Sequence, residues 1–273
     1  MDYDPVKDRL GGFFWKTPAR TKAFYGVLDA VFLRSWYVRR TLRRLVEAEG
    51  GRPVRVLDAG TGFGQYAWWL VDTFPNVTVT ALDVKEDYLD RARAFLDQTP
   101  HAGRVSFEVA DLTQPLGYAD AFDLALSVDV MEHIEDDRAV FRHVLRALRP
   151  GGHLVVNTPS DQGGSGVTEA GEASFIGEHV RDGYPLAELT EKLTTAGLRV
   201  TETAYTYGRY GSAGWRLLVK WPIQLLNTSW LAAPLLAPWY AVAGPVGLAL
   251  NAADLRADNA TGTGLLVTSQ KPE

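Results

Sequence analysis

The stretch VRVLDAGTGFGQY, residues 54–66, decides the fold of this chain. Its apolar first half has the composition of a buried parallel strand, and the acidic Asp58 ends it. Three glycines follow at every second position: Gly60, Gly62 and Gly64. Glycine adopts positive φ without steric cost and lets a ligand approach the backbone, and the start of the next helix offers free N–H groups to a polar or anionic ligand. The stretch therefore predicts a strand, a tight turn and a helix that form a nucleotide-type cofactor site.

The spacing of the glycines distinguishes between kinds of nucleotide-type site. The dinucleotide pattern G-x-G-x-x-G needs a glycine at position 65, where Gln65 stands, and a P-loop needs a Gly-Lys-Ser/Thr sequence that does not follow. The next predicted strand, Val77–Asp83, ends in an acidic residue about twenty positions past the turn, where a carboxylate accepts hydrogen bonds from two ribose hydroxyls. The alternative interpretation makes Asp83 a plain N-cap for the predicted helix Glu86–Leu96.

The carboxyl ends of two further predicted strands also carry polar residues. Val105–Val109 leads into Asp111 and Leu112, and Phe122–Val128 leads into the segment DVMEHI at residues 129–134. Because the carboxyl ends of parallel strands meet at one edge of a sheet, these residues are expected to share an edge with the glycine turn.

A fifth predicted strand, His153–Asn157, follows a helix and a Pro-Gly-Gly turn within residues 145–152. These motifs, in this order over residues 54–160, resemble those of the class I S-adenosylmethionine-dependent methyltransferases, and the core is similar to that of small-molecule methyltransferases of the ubiquinone-pathway type. The resemblance implies S-adenosyl-L-methionine as the cofactor, with the adenine held by Asp111 and covered by Leu112. It assigns cofactor binding to eleven residues: Asp58, Gly60, Thr61, Gly62, Gly64, Tyr66, Asp83, Val84, Asp111, Leu112 and Ser127.

Strands and helices alternate from residue 54 to 157, which predicts an α/β fold with a parallel sheet and helices on both faces. The resemblance implies a Rossmann-like, seven-stranded, mostly parallel sheet whose last two strands form an antiparallel hairpin. Here the candidates for those strands, Leu198–Tyr205 and Gly264–Thr268, are far apart in the sequence. We therefore expect four segments: a helical N-terminal extension (1–51), a methyltransferase core (52–208), an apolar insert (209–260) and a final core strand with a tail (261–273).

Composition narrows the function classes further. The 273 residues include no cysteine, which excludes disulfides, thiolate metal sites and cysteine nucleophiles, and the five histidines lack metal-ligand spacing, so no metal site is predicted. The first residues, Met1–Asp4, lack the basic and apolar regions of a signal peptide, and a cytoplasmic location is expected.

The N-terminal extension is strongly basic in a chain whose net charge is −5. Residues 9–45 carry nine basic side chains and one acidic one, interleaved with aromatic residues. Two interpretations fit this basic arm: two helices, Thr17–Leu33 and Ser35–Glu49, packed on the core, or an amphipathic segment lying on an anionic membrane surface. The acidic remainder of the chain argues against a nucleic-acid partner.

The insert contains no charged residue between Trp221 and Ala253. A membrane span needs about twenty apolar residues, but four prolines within the insert would interrupt the backbone hydrogen bonds that lipid requires. The alternatives are a broken helical hairpin packed on the N-terminal helices, a patch that lies on a membrane, and an apolar roof over the acceptor.

Three residues are candidates for proton transfer to or from an acceptor. His133 is the preferred general base, because an unperturbed histidine has a pKa near 6.5, and Glu132 is its neighbour. The alternative role of this pair is to shape the pocket for the methionine part of the cofactor. His179 follows a glycine-rich loop at residues 160–176 and, with Arg181, is placed to meet an anionic group of the acceptor or simply to cap a helix.

The sequence thus predicts a methyltransferase, monomeric or homodimeric, for a small and lipid-like or isoprenoid acceptor, peripheral at the inner face of an anionic membrane. Two alternatives remain: a methyltransferase for a soluble small molecule with the insert as a dimer interface, and a non-catalytic cofactor-binding subunit.

Overall fold

A seven-stranded sheet organises the protein, whose computed structural model describes residues 17–163 and 180–273. The strand order is β3-β2-β1-β4-β5-β7-β6. All neighbouring strands run parallel except β7, which lies antiparallel between β5 and β6. The strands are β1 Val54–Ala59, β2 Val77–Asp83, β3 Val105–Val109, β4 Phe122–Val128, β5 Leu148–Pro159, β6 Arg199–Thr206 and β7 Gly264–Gln270. The α/β fold predicted from the sequence is confirmed.

Helices join the strands and precede the first of them. In chain order the α-helices are α1 Pro18–Val31, α2 Leu33–Ala48, α3 Gln65–Thr73, α4 Glu86–Leu96, α5 Asp137–Ala147, α6 Leu186–Thr195, α7 Arg209–Trp215, α8 Trp221–Thr228 and α9 Leu236–Arg256.

Both faces of the sheet are covered by apolar side chains. Neighbouring residues of a strand point to opposite faces, so that in β1 Val56 belongs to one core and Leu57 to the other. The first core packs against α2, α3 and α4, and the second against α5 and α6. The near-continuous apolar runs of β1 and β4 are those of strands buried on both sides.

Strand β5 begins earlier than the sequence indicated. The sequence predicts the Pro-Gly-Gly segment as a turn before His153, but Leu148 already pairs with Phe122, and the register then shifts so that Leu124 pairs with His153. Gly152 makes this possible, because a Cβ there would lie 2.9 Å from the carbonyl oxygen of Arg149 and 3.1 Å from that of Asp123. The segment is therefore an irregular strand start held against β4.

Helices α1 and α2 form the described part of the basic arm, and they pack on the first core. Tyr37, Val38, Leu42 and Val46 of α2 are buried along one face of the helix. Several arginines of the arm contact other parts of the protein. Arg39 pairs with Asp29, Arg44 pairs with Glu202, and Arg40 donates to the carbonyl oxygen of Leu255 at 2.6 Å. These contacts favour the interpretation of two helices packed on the core.

The insert is a helical hairpin, residues 209–256. Its first arm runs from α7 through a π-helical segment, Arg216–Lys220, into α8; a 3₁₀-helix, Trp230–Leu235, leads into α9, the second arm. By length and composition the helical segment Leu231–Arg256 is apolar enough to cross a membrane, with a mean hydropathy of 1.4 and only 11% of its apolar window buried.

The base of the hairpin is fixed to α2 by buried polar contacts. The Tyr37 hydroxyl lies 2.8 Å from the backbone oxygen of Asp254 and 2.9 Å from its Oδ1, and the N–H of Gly211 donates to Oδ2 at 2.8 Å. A Cβ on Gly211 would lie 2.4 Å from Leu33, so glycine is needed for this close approach. The hairpin is therefore joined rigidly to the N-terminal helices.

Replacing Tyr37 with phenylalanine is expected to loosen this joint. The change leaves the buried Asp254 with fewer donors, which should lower the free energy of unfolding by about 1–3 kcal/mol. Urea denaturation measures this cost, and hydrogen exchange should show the loss concentrated in residues 209–256. Tyr118→Phe is the matched control, because its hydroxyl bonds to the exposed Glu108 and its loss should cost about 0.5 kcal/mol or less. Equal effects of the two changes would contradict the structural role of Tyr37.

Candidate functional site

The predicted cofactor residues lie along one edge of the sheet. Asp58, Asp83, Asp111 and Ser127 stand at or just beyond the carboxyl ends of β1, β2, β3 and β4. These four strands are neighbours in the order β3-β2-β1-β4. Open α/β sheets bind ligands in the crevice outside the carboxyl ends of their strands, and the structure brings the four residues together there.

In the glycine turn between β1 and α3, two glycines are closely packed against side chains of the protein and one faces open space. Gly60, Gly62 and Gly64 have φ values of +87°, +54° and +77°, all in the region that favours glycine. A Cβ on Gly60 would lie 2.3 Å from the Val130 side chain, and one on Gly64 would lie 3.0 Å from Ala92. A Cβ on Gly62 would meet nothing within 4 Å. Gly62 therefore faces open space, where a ligand can approach the backbone.

Asp83 lies against this open position. Its Oδ2 accepts a hydrogen bond from the N–H of Gly62 at 2.8 Å, and its Oδ1 accepts one from the N–H of Lys85 at 3.0 Å. Helix α4 begins with Lys85 as its N-cap, so the alternative interpretation of Asp83 as the N-cap is wrong. Each carboxylate oxygen retains further capacity to accept hydrogen bonds, which suits a pair of ligand hydroxyls.

Asp58 supports the turn from beneath. Its side chain is buried, and its Oδ2 accepts a hydrogen bond from the Thr61 hydroxyl at 2.7 Å. Burial, with a smaller contribution from the nearby charge of Asp83, raises the pKa of Asp58 to about 7. Asp58 and Thr61 thus stabilise the conformation of the glycine turn.

Two predicted residues of the adenine region differ in their surroundings. Asp111 is exposed, and its Oδ1 accepts hydrogen bonds from the N–H and hydroxyl of Thr113, which hold the pKa of the carboxyl below its usual range. Leu112 is buried in the second core. Val84, next to Asp83, is 61% exposed and lines the open side of the edge.

Ser127 and Tyr66 lie on the inner side of the edge. The Ser127 Oγ is buried and has no hydrogen-bond partner within the described residues. Tyr66 is buried, and its hydroxyl lies 3.3 Å from the Ser35 Oγ of α2. A buried hydroxyl without a partner at a strand end is a polar atom available to a ligand.

A second group of polar side chains, which we call the Arg34 cluster, lies at the end of β4 and consists of Arg34, Asp129, Glu132 and Tyr207. The Arg34 Nη1 forms an ion pair with the Asp129 Oδ2 at 2.9 Å, and the backbone N–H of Arg34 donates to the Tyr207 hydroxyl at 3.2 Å. Asp129 and Tyr207 both have positive φ, +53° and +54°. Non-glycine residues rarely adopt this conformation, which persists where surrounding contacts enforce it, often at functional sites.

Glu132 is the buried member of the cluster. Its Oε2 accepts a hydrogen bond from the Thr158 hydroxyl at 3.0 Å. Burial, with a smaller contribution from the charge of Asp129, raises the pKa of Glu132 to about 8. These contacts place Glu132 inside the wall of the site.

The other predicted catalytic residues have different positions. His133 ends a 3₁₀ turn, Met131–His133, and is partly exposed next to the cluster. His179 lies outside the described residues. The Arg181 guanidinium donates to the carbonyl oxygens of Met131 and Ile134 at 2.7 and 2.9 Å, so it holds the chain rather than presenting a free charge to an acceptor.

Comparison with known proteins agrees with this geometry. Residues 56–152 match the family model described as a methyltransferase domain. The chain is 32% identical over 156 residues to the O-methyltransferase resE of Aspergillus sclerotiorum, covering 55% of each chain. It is also 32% identical over 166 residues to the 27-O-demethylrifamycin SV methyltransferase of Amycolatopsis mediterranei, covering 59% of each. The chain thus spans little more than half the length of these curated relatives.

Solved structures share the fold across most of the chain. A putative sarcosine dimethylglycine methyltransferase from Galdieria sulphuraria superimposes with a TM-score of 0.60 at 19% identity, covering 87% of this chain and 85% of the other. The [4+2]-cyclase SpnF superimposes with a TM-score of 0.57 at 21% identity, covering 81% and 75%. Residues 56–152 thus match a methyltransferase domain, and the fold around them is that of the class I S-adenosylmethionine-dependent methyltransferases. S-adenosyl-L-methionine is the cofactor of that class. The open face of Gly62, the Asp83 carboxylate and the Ser127 hydroxyl, which has no partner among the described residues, fit this cofactor.

Sequence reasoning missed Arg34 and Tyr207. Arg34 was counted only as one charge of the basic arm, and Tyr207 was placed at the end of the core without a role. The pairing of Arg34 with Asp129 joins residues far apart in the chain, and no local pattern indicates it. The one signal in the sequence is that Arg34 directly follows Phe32 and Leu33. A charged residue among residues that become buried indicates a specific partner for that charge.

Adding one methyl group at Gly62 should test where the ligand lies. Gly62→Ala places a Cβ in the open space above the turn, so it is expected to weaken binding of S-adenosylhomocysteine at least about tenfold, because the methyl group displaces the ligand from the backbone. Isothermal titration calorimetry measures the affinity. The matched control is Gly103→Ala, since Gly103 also has positive φ (+83°) and open surroundings. Both changes should cost about 1 kcal/mol of stability, but only the first should affect binding; unchanged affinity in Gly62→Ala would contradict this placement of the ligand.

Proposed function

We propose that the protein is an S-adenosylmethionine-dependent methyltransferase of the small-molecule O-methyltransferase type. The observation that carries the proposal is the position of the open glycine turn, with Asp83 against it, on the same sheet edge as the Arg34 cluster. One part of this edge suits the cofactor and the other part suits the group that accepts the methyl. The names of the relatives support an oxygen acceptor.

The protein's residues would divide the work in the following way. Asp83 would accept hydrogen bonds from the ribose hydroxyls and Asp111 would hold the adenine. The N–H groups of the glycine turn, with Ser127, would hold the amino-acid part of the cofactor. The bound cofactor supplies a methyl group that is already activated for displacement. The remaining task is to align the acceptor and to remove its proton.

His133 is the proposed general base. It follows the end of β4 and is partly exposed, which supports exchange of a proton with solvent. Glu132 is buried and bonded to Thr158, which supports a role in positioning the 3₁₀ turn that carries His133. His179 stays a candidate from the sequence.

A lipid-like or isoprenoid acceptor is the finer part of the proposal. The apolar hairpin begins two residues beyond Tyr207, so the Arg34 cluster lies next to its base. An acceptor with a polar ring and an apolar tail would place its ring near the cluster and its tail along the hairpin. The proposal also includes a cytoplasmic location, peripheral at the inner face of the membrane.

Loss of the Asp83 carboxylate should remove cofactor binding. Asp83→Ala deletes the acceptor for two ligand hydroxyls and is expected to cost about 2–4 kcal/mol of binding free energy. Calorimetry with S-adenosylhomocysteine measures this, and circular dichroism should show an intact fold. Asp87→Ala, which removes an exposed carboxylate on the nearby helix α4, is the control and should leave affinity unchanged. Unchanged affinity in Asp83→Ala, or tight binding of a nicotinamide dinucleotide by the unmodified protein, would contradict the proposal.

Methyl transfer itself is tested by release of S-adenosylhomocysteine in the presence of phenolic acceptors with and without an isoprenoid tail. Turnover is expected with the tailed acceptors, and His133→Ala should lower it by about a hundredfold or more while leaving cofactor affinity nearly unchanged. Equal losses in turnover and affinity would show that His133 only builds the pocket. Cofactor that binds tightly and is never consumed with any acceptor would instead favour a non-catalytic subunit.

A further inference from the structure

The outer part of the hairpin exposes an unusually apolar surface. Of residues 223–242, none whose side chain the structure describes is buried. Leu231 is 92% exposed and Val242 is 73% exposed, and the exposed set continues with Trp221, Leu235, Tyr240 and Val246. Contiguous apolar surface of this kind on a soluble protein marks a binding surface for protein or membrane.

The charged residues of the hairpin all lie towards its base, outside residues 221–246, and almost all are positive. Between residues 209 and 256 the basic residues are Arg209, Arg216, Lys220 and Arg256, and the acidic one is Asp254. Asp254 is fully buried at the base, whereas Arg209, Arg216 and Arg256 are exposed. Arg216 and Lys220 form no ion pair with a carboxylate within residues 17–163 and 180–273. The exposed charge of the hairpin is therefore positive, and it lies between the protein core and the apolar outer part of the hairpin.

Inside the hairpin, side chains donate hydrogen bonds to two backbone carbonyl oxygens to which a proline cannot donate. Pro222 has no N–H, so it cannot donate to the carbonyl oxygens four and five residues before it, those of Leu218 and Leu217. Trp239 Nε1 donates to the Leu217 oxygen at 3.0 Å, and the Tyr240 hydroxyl donates to the Leu218 oxygen at 2.8 Å. A broken helix needs such substitutes most where water is absent, as in lipid.

We propose that the outer hairpin, residues 221–246, inserts into one leaflet of an anionic membrane, with Arg209, Arg216, Lys220 and Arg256 at the headgroups. The chemistry fits this occupant: apolar side chains enter the acyl region, aromatic residues lie at the boundary, and basic residues meet anionic lipid. This deepens the proposal of a lipid-like acceptor, but it concerns a surface separate from the cofactor site.

The exposed outer part of the hairpin, residues 221–246, is too short to cross the bilayer, although the second arm as a whole has the length of a span. Each arm of the exposed part spans about ten residues, or about 15 Å at the helical rise, against about 30 Å for the hydrocarbon core. Both arms return to the same face of the protein, where Tyr37 and Gly211 hold Asp254. The proposed membrane surface is the hairpin and does not include the basic arm, which the sequence left open as a membrane-binding segment. Arginines of that arm such as Arg39 and Arg44 form ion pairs with carboxylates of the protein.

Flotation with vesicles tests the apolar part. The full chain should float with vesicles of phosphatidylcholine and phosphatidylglycerol and bind pure phosphatidylcholine more weakly. Leu231→Glu and Val242→Glu should each lower the partition coefficient at least about tenfold, since each places a charge in the acyl region. The control is Val27→Glu, a similar change at a 57% exposed valine outside the hairpin, which should float like the unmodified protein.

A variant and a matched control test the basic residues of the hairpin. The double change Arg216→Gln and Lys220→Gln should reduce binding to the anionic vesicles and also reduce the salt dependence of that binding. The control is Arg43→Gln, which replaces an exposed arginine of α2 and should change neither quantity. Calorimetry with S-adenosylhomocysteine on each variant verifies the fold of the cofactor site.

Two outcomes would overturn the inference. An unmodified protein that binds S-adenosylhomocysteine but never floats would refute membrane insertion while leaving the methyltransferase proposal intact. A stable dimer in sedimentation equilibrium that Leu231→Glu converts to a monomer, with no flotation, would show that the hairpin is a subunit interface. Flotation without cofactor binding would instead refute the proposed enzyme and leave the membrane surface standing.

Discussion

The structure depends on the packing of helix α2 against the sheet. One face of this helix buries Val38, Leu42 and Val46 in the first core, and each such side chain contributes roughly 1.5–3 kcal/mol when it is fully buried. The polar residues of the same helix then meet partners from three parts of the chain: Arg34 pairs with Asp129, Tyr37 contacts Asp254, and Arg44 pairs with Glu202. The ligand edge, the hairpin and strand β6 are thus positioned by one helix that precedes the methyltransferase motifs.

The ligand edge itself is built around buried carboxylates. Asp58 and Glu132 lie in the wall of the site, where desolvation raises the pKa of both. Ionising a second carboxylate close to the first is unfavourable at this depth, so the site combines the accessible carboxylates of Asp83 and Asp111 with two buried carboxylates, Asp58 and Glu132, that favour their neutral form. The folded state takes up protons on Asp58 and Glu132 that the unfolded chain has already lost. These two groups therefore make stability fall as the pH rises from about 4 towards 8.

The sequence predicted those parts of the structure that are determined by residues close together in the chain. The glycine turn, the strand ends at Asp58 and Asp83 and the alternation of strands and helices follow from short-range chemistry, and the structure has them where they were expected. The early start of β5 was not predicted. Glycine at position 152 is required there by the close approach of backbone carbonyl oxygens, including that of Asp123 on β4, and this contact is not visible along the chain. The Arg34 cluster was missed for a similar reason: Asp129 and Tyr207 adopt positive φ without being glycine, and tertiary contacts alone enforce that conformation.

The position of the hairpin connects the two proposals physically. It enters the chain between β6 and β7, and its first helix begins just after Tyr207, which accepts a hydrogen bond from Arg34. A force on the hairpin is transmitted to α2 through Asp254 and Tyr37, and α2 carries Arg34 and also Ser35, which contacts Tyr66 beside the cofactor turn. Because packed elements shift as units rather than deform continuously, seating the hairpin in lipid would restrain α2, whose Arg34 and Ser35 contact Asp129 and Tyr66. In this arrangement α2 joins the proposed membrane surface to the proposed cofactor edge.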